Sequence, residues 1–266
     1  MPNHIHKRLA VMLACIVGMS TLAVLQHDAR VGAQPALTVA APAAAAVVAA
    51  PLGDYSKIDS LKYSAAPAYL TDRHYVAGRF ADVMQMQAYL RTGVDPGPLS
   101  SQFLNYVIAE NERGVSKQHG WSSPLLGQKY AALTGTCLAS ECVPPSSPIK
   151  LWMGKSTTAQ KNSALKYRAG DAFVLFPEIK TYANALAFLR ANRGAAFILT
   201  NSGRDADAII GVDPAGLGIW LQATGTAPAK ASHKTLADGE AQWKLRLHDQ
   251  AGGLEPANYL VGLTMR

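Results

Sequence analysis

The sequence predicts an α+β domain, a helix-rich N-terminal half packed on a mostly antiparallel sheet from the C-terminal half. Three observations carry this. Apolar residues recur at helical spacing in several segments between Tyr69 and Arg193. Short strand-like runs dominate from Ala196 onward, and Asp213-Pro214-Ala215-Gly216 between two apolar runs reads as a hairpin turn. Helices first and strands later is not the alternation of a βαβ-wound fold.

The chain opens with Lys7 and Arg8, an uncharged stretch Leu9–Leu25, and Val31-Gly32-Ala33 with slim residues at the −3 and −1 positions. That order is a secretory signal, residues 1–33, cut after Ala33. The rival reading is an uncut anchor, since a span needs roughly 17–25 apolar residues. Residues 34–53 hold an alanine- and proline-rich tether (Pro35–Pro51), semi-extended near its prolines. A single domain over 54–266 follows.

Within that domain Pro67–Arg91 is a helix that Gly78 is placed to interrupt, and Gly93–Pro98 is a stop and turn. Ser100 or Ser101 caps a helix running to Arg113, with Phe103, Leu104, Val107 and Ile108 on one face. Pro124 opens a third helix that Gly135 closes, and Gly135–Pro148 is a loop. A helix over Thr157–Arg168, a buried strand over Ala172–Phe176 and a helix over Tyr182–Arg193 come next. The expected strands are Ala196–Thr200, Ala208–Val212, Ile219–Gln222, Trp243–His248 and Tyr259–Thr264.

The formal charge is +7; removing residues 1–33 leaves about +5, spread without any run of five basic residues. Nothing there points to nucleic acid, and membrane contact is expected only through an uncut N-terminal segment. Cleavage removes Cys15, leaving Cys137 and Cys142. Two cysteines five apart in an oxidising compartment read as one disulfide.

Individual motifs are mostly unremarkable chemistry. Gly154-Lys155-Ser156-Thr157 has Ile149 where a phosphate loop needs glycine. Asp205, Asp207 and Asp213 lack the glycine and terminal glutamate of an EF-hand loop, and no Cys/His set offers four metal ligands, so neither metal nor cofactor is expected. Glu110 and Glu112 read as a solvated helix end. No GxSxG elbow is present.

Cys137 has the one sharp chemical alternative. A nucleophilic thiol needs a helix N-terminus and an imidazole to lower its pKa. Gly135–Ser140 presents Cys137 at a turn, and the order cysteine, histidine, Asn/Asp is met by His233 with Asp249, or His248 with Asn258. Gly194–Gly225 resembles the strand pair of papain-like peptidases of the YopT type, and Gly135-x-Cys137 resembles their nucleophile turn. The resemblance implies a histidine opening the first strand and an aspartate after the second; this chain has Asp207 at the histidine's place. It also implies a long helix carrying the cysteine, which Pro144-Pro145 interrupts.

The expectation is therefore an exported protein that binds an envelope component or other partner through a groove between its halves, with Trp121, Trp152 or Trp220 as anchors if exposed. The alternative is an exported thiol hydrolase using Cys137, His233 and Asp249.

Overall fold

The computed structural model describes residues 54–65, 76–112, 124–142, 155–173, 179–201, 205–223, 227–248 and 260–266. The chain divides into two units, Met1–Val48 and Ala49–Arg266, and the described residues belong to the second. The expected signal, its cleavage site and the whole tether lie outside them, as do Pro67–Tyr75, Trp121 and Trp152. No described helix is long and apolar enough to cross a membrane.

A 3-10 helix, Tyr55–Ser60, is capped by the Asp54 carboxylate. Helix α1, Val76–Thr92, follows. Fourteen of its 17 residues are buried, so it lies inside the molecule rather than on it. Gly78 does not interrupt it: burial on all sides outweighs a glycine cost of about 1 kcal/mol. The polar residues swallowed with it need internal partners. Gln85 Nε2 donates to the Lys62 carbonyl (3.0 Å) and Asp95 Oδ1 (2.9 Å), and Gln87 Nε2 donates to the Gly194 carbonyl (2.8 Å).

Helix α2, Ser101–Asn111, starts where Ser100 accepts from the Phe103 N–H. Helix α3 is Pro124–Leu133. Helix α4, Thr158–Ala164, begins in a capping box of Thr157 and Gln160 and runs into a 3-10 turn, Leu165–Tyr167. Helix α5 is Tyr182–Ala191. Its sequence expectation ended at Gly194, which turns the chain at φ +82°.

Six strands form one sheet, order β1-β6-β2-β3-β4-β5, each pair antiparallel. They are β1 Ala172–Phe173, β2 Ala196–Asn201, β3 Asp205–Val212, β4 Gly218–Gln222, β5 Lys230–Lys234 and β6 Leu260–Leu263. Alternation along the strands divides the core. Ile198, Ala208, Ile210, Ile219 and Leu221 join the helical layer of α1–α3. Phe197, Leu199, Ile209 and Trp220 face the other way, onto Tyr182, Leu186 and Leu189 of α5 and Trp243. The result is helices, sheet, helices, with the α+β order expected.

The assignment of the later elements changes in two places. Trp243–His248, read as a strand, is the last half of helix α6, Leu236–His248. Trp-Lys-Leu-Arg-Leu mimics strand alternation, but Thr235 accepts from the Asp238 N–H and donates to its carboxylate, a cap that starts a helix. The alternating Leu245 stays half exposed while Trp243 is buried. Conversely, Lys230–Lys234 is too polar to announce itself as a strand. It closes the sheet's edge, where lysines discourage further pairing.

Candidate functional site

Cys137 lies in an extended segment between α3 and the turn Ala139–Glu141. Gly135 at φ +72° sets this path; a Cβ there would fall 2.4 Å from the Ala164 carbonyl oxygen. The segment is then sewn to the start of α2. Ser100 N–H donates to the Cys137 carbonyl (2.8 Å), Ala139 N–H to the Pro98 carbonyl (2.8 Å), and the Thr136 hydroxyl to the Ser100 carbonyl. No helix begins at Cys137, which corrects the expected nucleophile turn; the long buried helix is α1.

The Cys137 side chain is fully buried beside that of Cys142, itself buried. The structure carries both as thiols, hydrogen-bonded to each other, where the sequence reading expects a bridge. That hydrogen bond, with burial second, pushes the Cys137 thiol far up, while Cys142 is held below the usual thiol range chiefly by the same hydrogen bond. A protonated, enclosed Cys137 is a poor nucleophile.

Asp249 and Asn258 lie outside the described residues, and His248 is described only as backbone. His233 projects from β5 opposite Ile219. Its Nδ1 lies 2.7 Å from Asp213 Oδ2, in the β3–β4 hairpin, and its Nε2 3.2 Å from Asp59 Oδ1. Both nitrogens are thus engaged by carboxylates. Partial burial alone would lower the imidazole's pKa, but the hydrogen bonds and charges of Asp213 and Asp59 outweigh it and raise it above the ordinary 6.5. The folded protein therefore holds this proton more tightly than the unfolded chain. The clamp's contribution is complete below about pH 6.5 and is lost as pH rises through the raised native value. His233→Gln should destabilise by about 0.2–1 kcal/mol at pH 6 and by less at pH 8.5. Chemical denaturation at both pH values reads this directly, and a pH-independent difference contradicts the assignment.

Asp207, at the place the resemblance gives to histidine, is 1% exposed. Its Oδ2 accepts from Arg246 Nε (2.8 Å), Gln242 Nε2 (3.1 Å) and Gln222 Nε2 (3.2 Å). It shares the sheet face of Ile209, two residues on, under α6; Cys137 packs in the cluster on the opposite face. Asp207 and Cys137 are separated by the sheet itself. Asp207 joins β3, β4 and α6, and among the described residues no group of three or more His, Cys, Asp or Glu is arranged around a metal.

Trp220 is fully buried, with Nε1 donating to the Tyr182 hydroxyl (2.9 Å), so it is no surface anchor. Glu110 and Glu112 tie helices together: Glu110 to Ser156 and Lys161, Glu112 to Lys129 and Tyr130. The more open features flank His233. A cleft of about 570 Å³ lies between Asp59–Tyr63 and Pro228–Ala231, and one of about 390 Å³ is lined by Tyr55, Arg190, Arg193 and Asp213. No local sequence pattern marks the walls of either, because they lie more than a hundred residues apart along the chain.

No family model matches the chain, and no curated protein matches it in sequence. Several solved structures are similar. Xylellain, a cysteine protease from Xylella fastidiosa, aligns at 12% identity and TM-score 0.44 over 80% of this chain and 90% of that one. Digestive procathepsin L 3 of the Tenebrio molitor larval midgut aligns at 12% and 0.46, over 81% and 70%. A chain from a study of the mite allergens Blo t 1 and Der p 1 aligns at 10% and 0.42, over 82% and 71%.

Proposed function

We propose that this is an exported protein that works by binding an envelope component or other partner, and that Cys137 is not a catalytic nucleophile. One observation carries the second half: the Cys137 thiol is enclosed and held protonated, while His233, the candidate base, is clamped between Asp59 and Asp213. The N-terminal charge and apolar pattern supports export. The cleft between Asp59–Tyr63 and Pro228–Ala231 supports binding, with an apolar floor of Leu61, Tyr63, Ala229 and Ala231 and the charges of Lys62, Lys230 and Asp59 at its rim.

The test treats native protein recovered outside the cytosol with iodoacetamide, maps labelled peptides and assays hydrolysis of casein. Cys137 should stay unlabelled and casein uncut. Stoichiometric labelling of Cys137 with parallel loss of casein hydrolysis would reinstate the thiol hydrolase.

A further inference from the structure

We infer that Cys137 and Cys142 are a dithiol that a disulfide carrier oxidises to an intrachain bridge, with Cys142 the sulfur that enters the exchange first. The inference goes beyond the binding reading, which inert thiols would satisfy equally well.

Three observations carry it. The two side chains are buried in the same cluster of the helical layer, although neither belongs to a helix or strand. One residue fastens both backbones: Ser100 N–H donates to the Cys137 carbonyl, and the Ser100 hydroxyl donates to the Cys142 carbonyl (3.2 Å). The four residues between them form a surface turn, closed by Glu141 N–H on the Leu138 carbonyl (3.0 Å), with Ser140 and Glu141 exposed. The sulfurs are therefore held together beneath a short turn whose opening uncovers them without unfolding a helix or strand.

The order follows from their surroundings. Cys142 follows exposed Glu141 at the end of the turn and is the less enclosed of the two, 3% exposed against 0% for Cys137, and its contact with Cys137 favours its thiolate. That thiolate attacks one sulfur of the carrier disulfide, forming a mixed disulfide and expelling the first carrier thiolate. Cys137 then gives its proton to water, and its sulfur attacks Cys142 Sγ, expelling the second. The protein loses two protons and two electrons; the carrier disulfide becomes a dithiol. The bridge would lock the turn onto Ser100, the cap of α2, and onto Gln160 of α4, whose Nε2 donates to the Glu141 carbonyl (2.7 Å).

Oxidised glutathione serves as the probe on the full chain, followed by acid quench, labelling with N-ethylmaleimide in denaturant, and trypsin. Both cysteines fall in one peptide, Tyr130–Lys150. It should emerge unlabelled and lacking two hydrogens; recovery with two labels overturns the bridge. Reduction of the bridged protein should lower Tm by about 4–8 °C, and an unchanged Tm counts against a bridge that braces the fold. For the order of attack, Cys137→Ser should acquire one glutathione about tenfold faster than Cys142→Ser. Equal or reversed rates overturn that order. The wild-type peptide decides the bridge by itself even if either variant fails to fold.

Discussion

Replacing Asp207 with alanine is expected to cost about 3–5 kcal/mol of stability, lowering Tm by roughly 6–20 °C. The carboxylate is enclosed and a single oxygen accepts from one guanidinium and two amides. Arg246, only 18% exposed at its side chain, would be left without its countercharge, and the amides of Gln222 and Gln242 would each lose an acceptor. Asp207→Asn should recover part of the loss, because the shape and one acceptor survive. The informative variant is Asp207→His, which restores the residue that papain-like strands are expected to carry. It should lose about as much stability as alanine and gain no thiol reactivity at Cys137, since the side chain leaves on the α6 face of the sheet. Thermal melts and native iodoacetamide labelling separate the two outcomes. A stable Asp207→His protein with a newly labelled Cys137 would show that residue 207 faces the thiol after all.

The same residue shows how far the sequence could be read. That β3 exists, and pairs through Asp213–Gly216 with β4, is local information: alternation, β-branched content and a turn whose Asp213 Oδ1 accepts from the Leu217 N–H at 2.8 Å. Which face Asp207 occupies is not local. It depends on Ile209 meeting Trp243, in a stretch that itself imitates a strand. The cap Ser100 and the closing glycines Gly135 and Gly194 are legible because a helix end is marked by residues within a turn of it, although the room that Gly135 needs beside Ala164 is not. The site was not. His233 meets Asp59 across 174 positions, and no periodicity or spacing encodes such a pairing. Cys137 could be singled out by chemistry alone, but its enclosure comes from Leu99 and Ser100 of another segment. Strand β5 escaped because an edge strand rich in lysine and serine lacks the apolar face by which strands are recognised.

Joint replacement of Arg79 by methionine and Asp82 by leucine is expected to leave the protein as stable as before or stabilise it by about 1–4 kcal/mol, whereas Asp82→Leu alone should cost about 3–5 kcal/mol. Both side chains sit inside α1, 3.0 Å apart at 5% and 3% exposure. Arg79 Nε and Nη1 and Asp82 Oδ2 complete no hydrogen bond among the described residues, so little besides their mutual attraction offsets the desolvation of these atoms. Burial raises the Asp82 carboxyl to about 6, with Arg79 only partly opposing it. A native value above the ordinary 3.8 means the folded state keeps this proton longer than the unfolded chain. Its contribution to stability therefore falls as pH rises from about 4 to about 6, the reverse of an ordinary salt-bridged carboxylate. The double variant should lack that decline. Urea denaturation of wild type and double variant at pH 4.5 and about pH 7 tests both claims, and a gap that stays constant between those values would mean Asp82 is ionised throughout. Sequence logic alone would keep an Arg and an Asp three apart on a helix as a surface pair. Here the helix lies at the centre of the domain, and the pair's value changes sign with its surroundings.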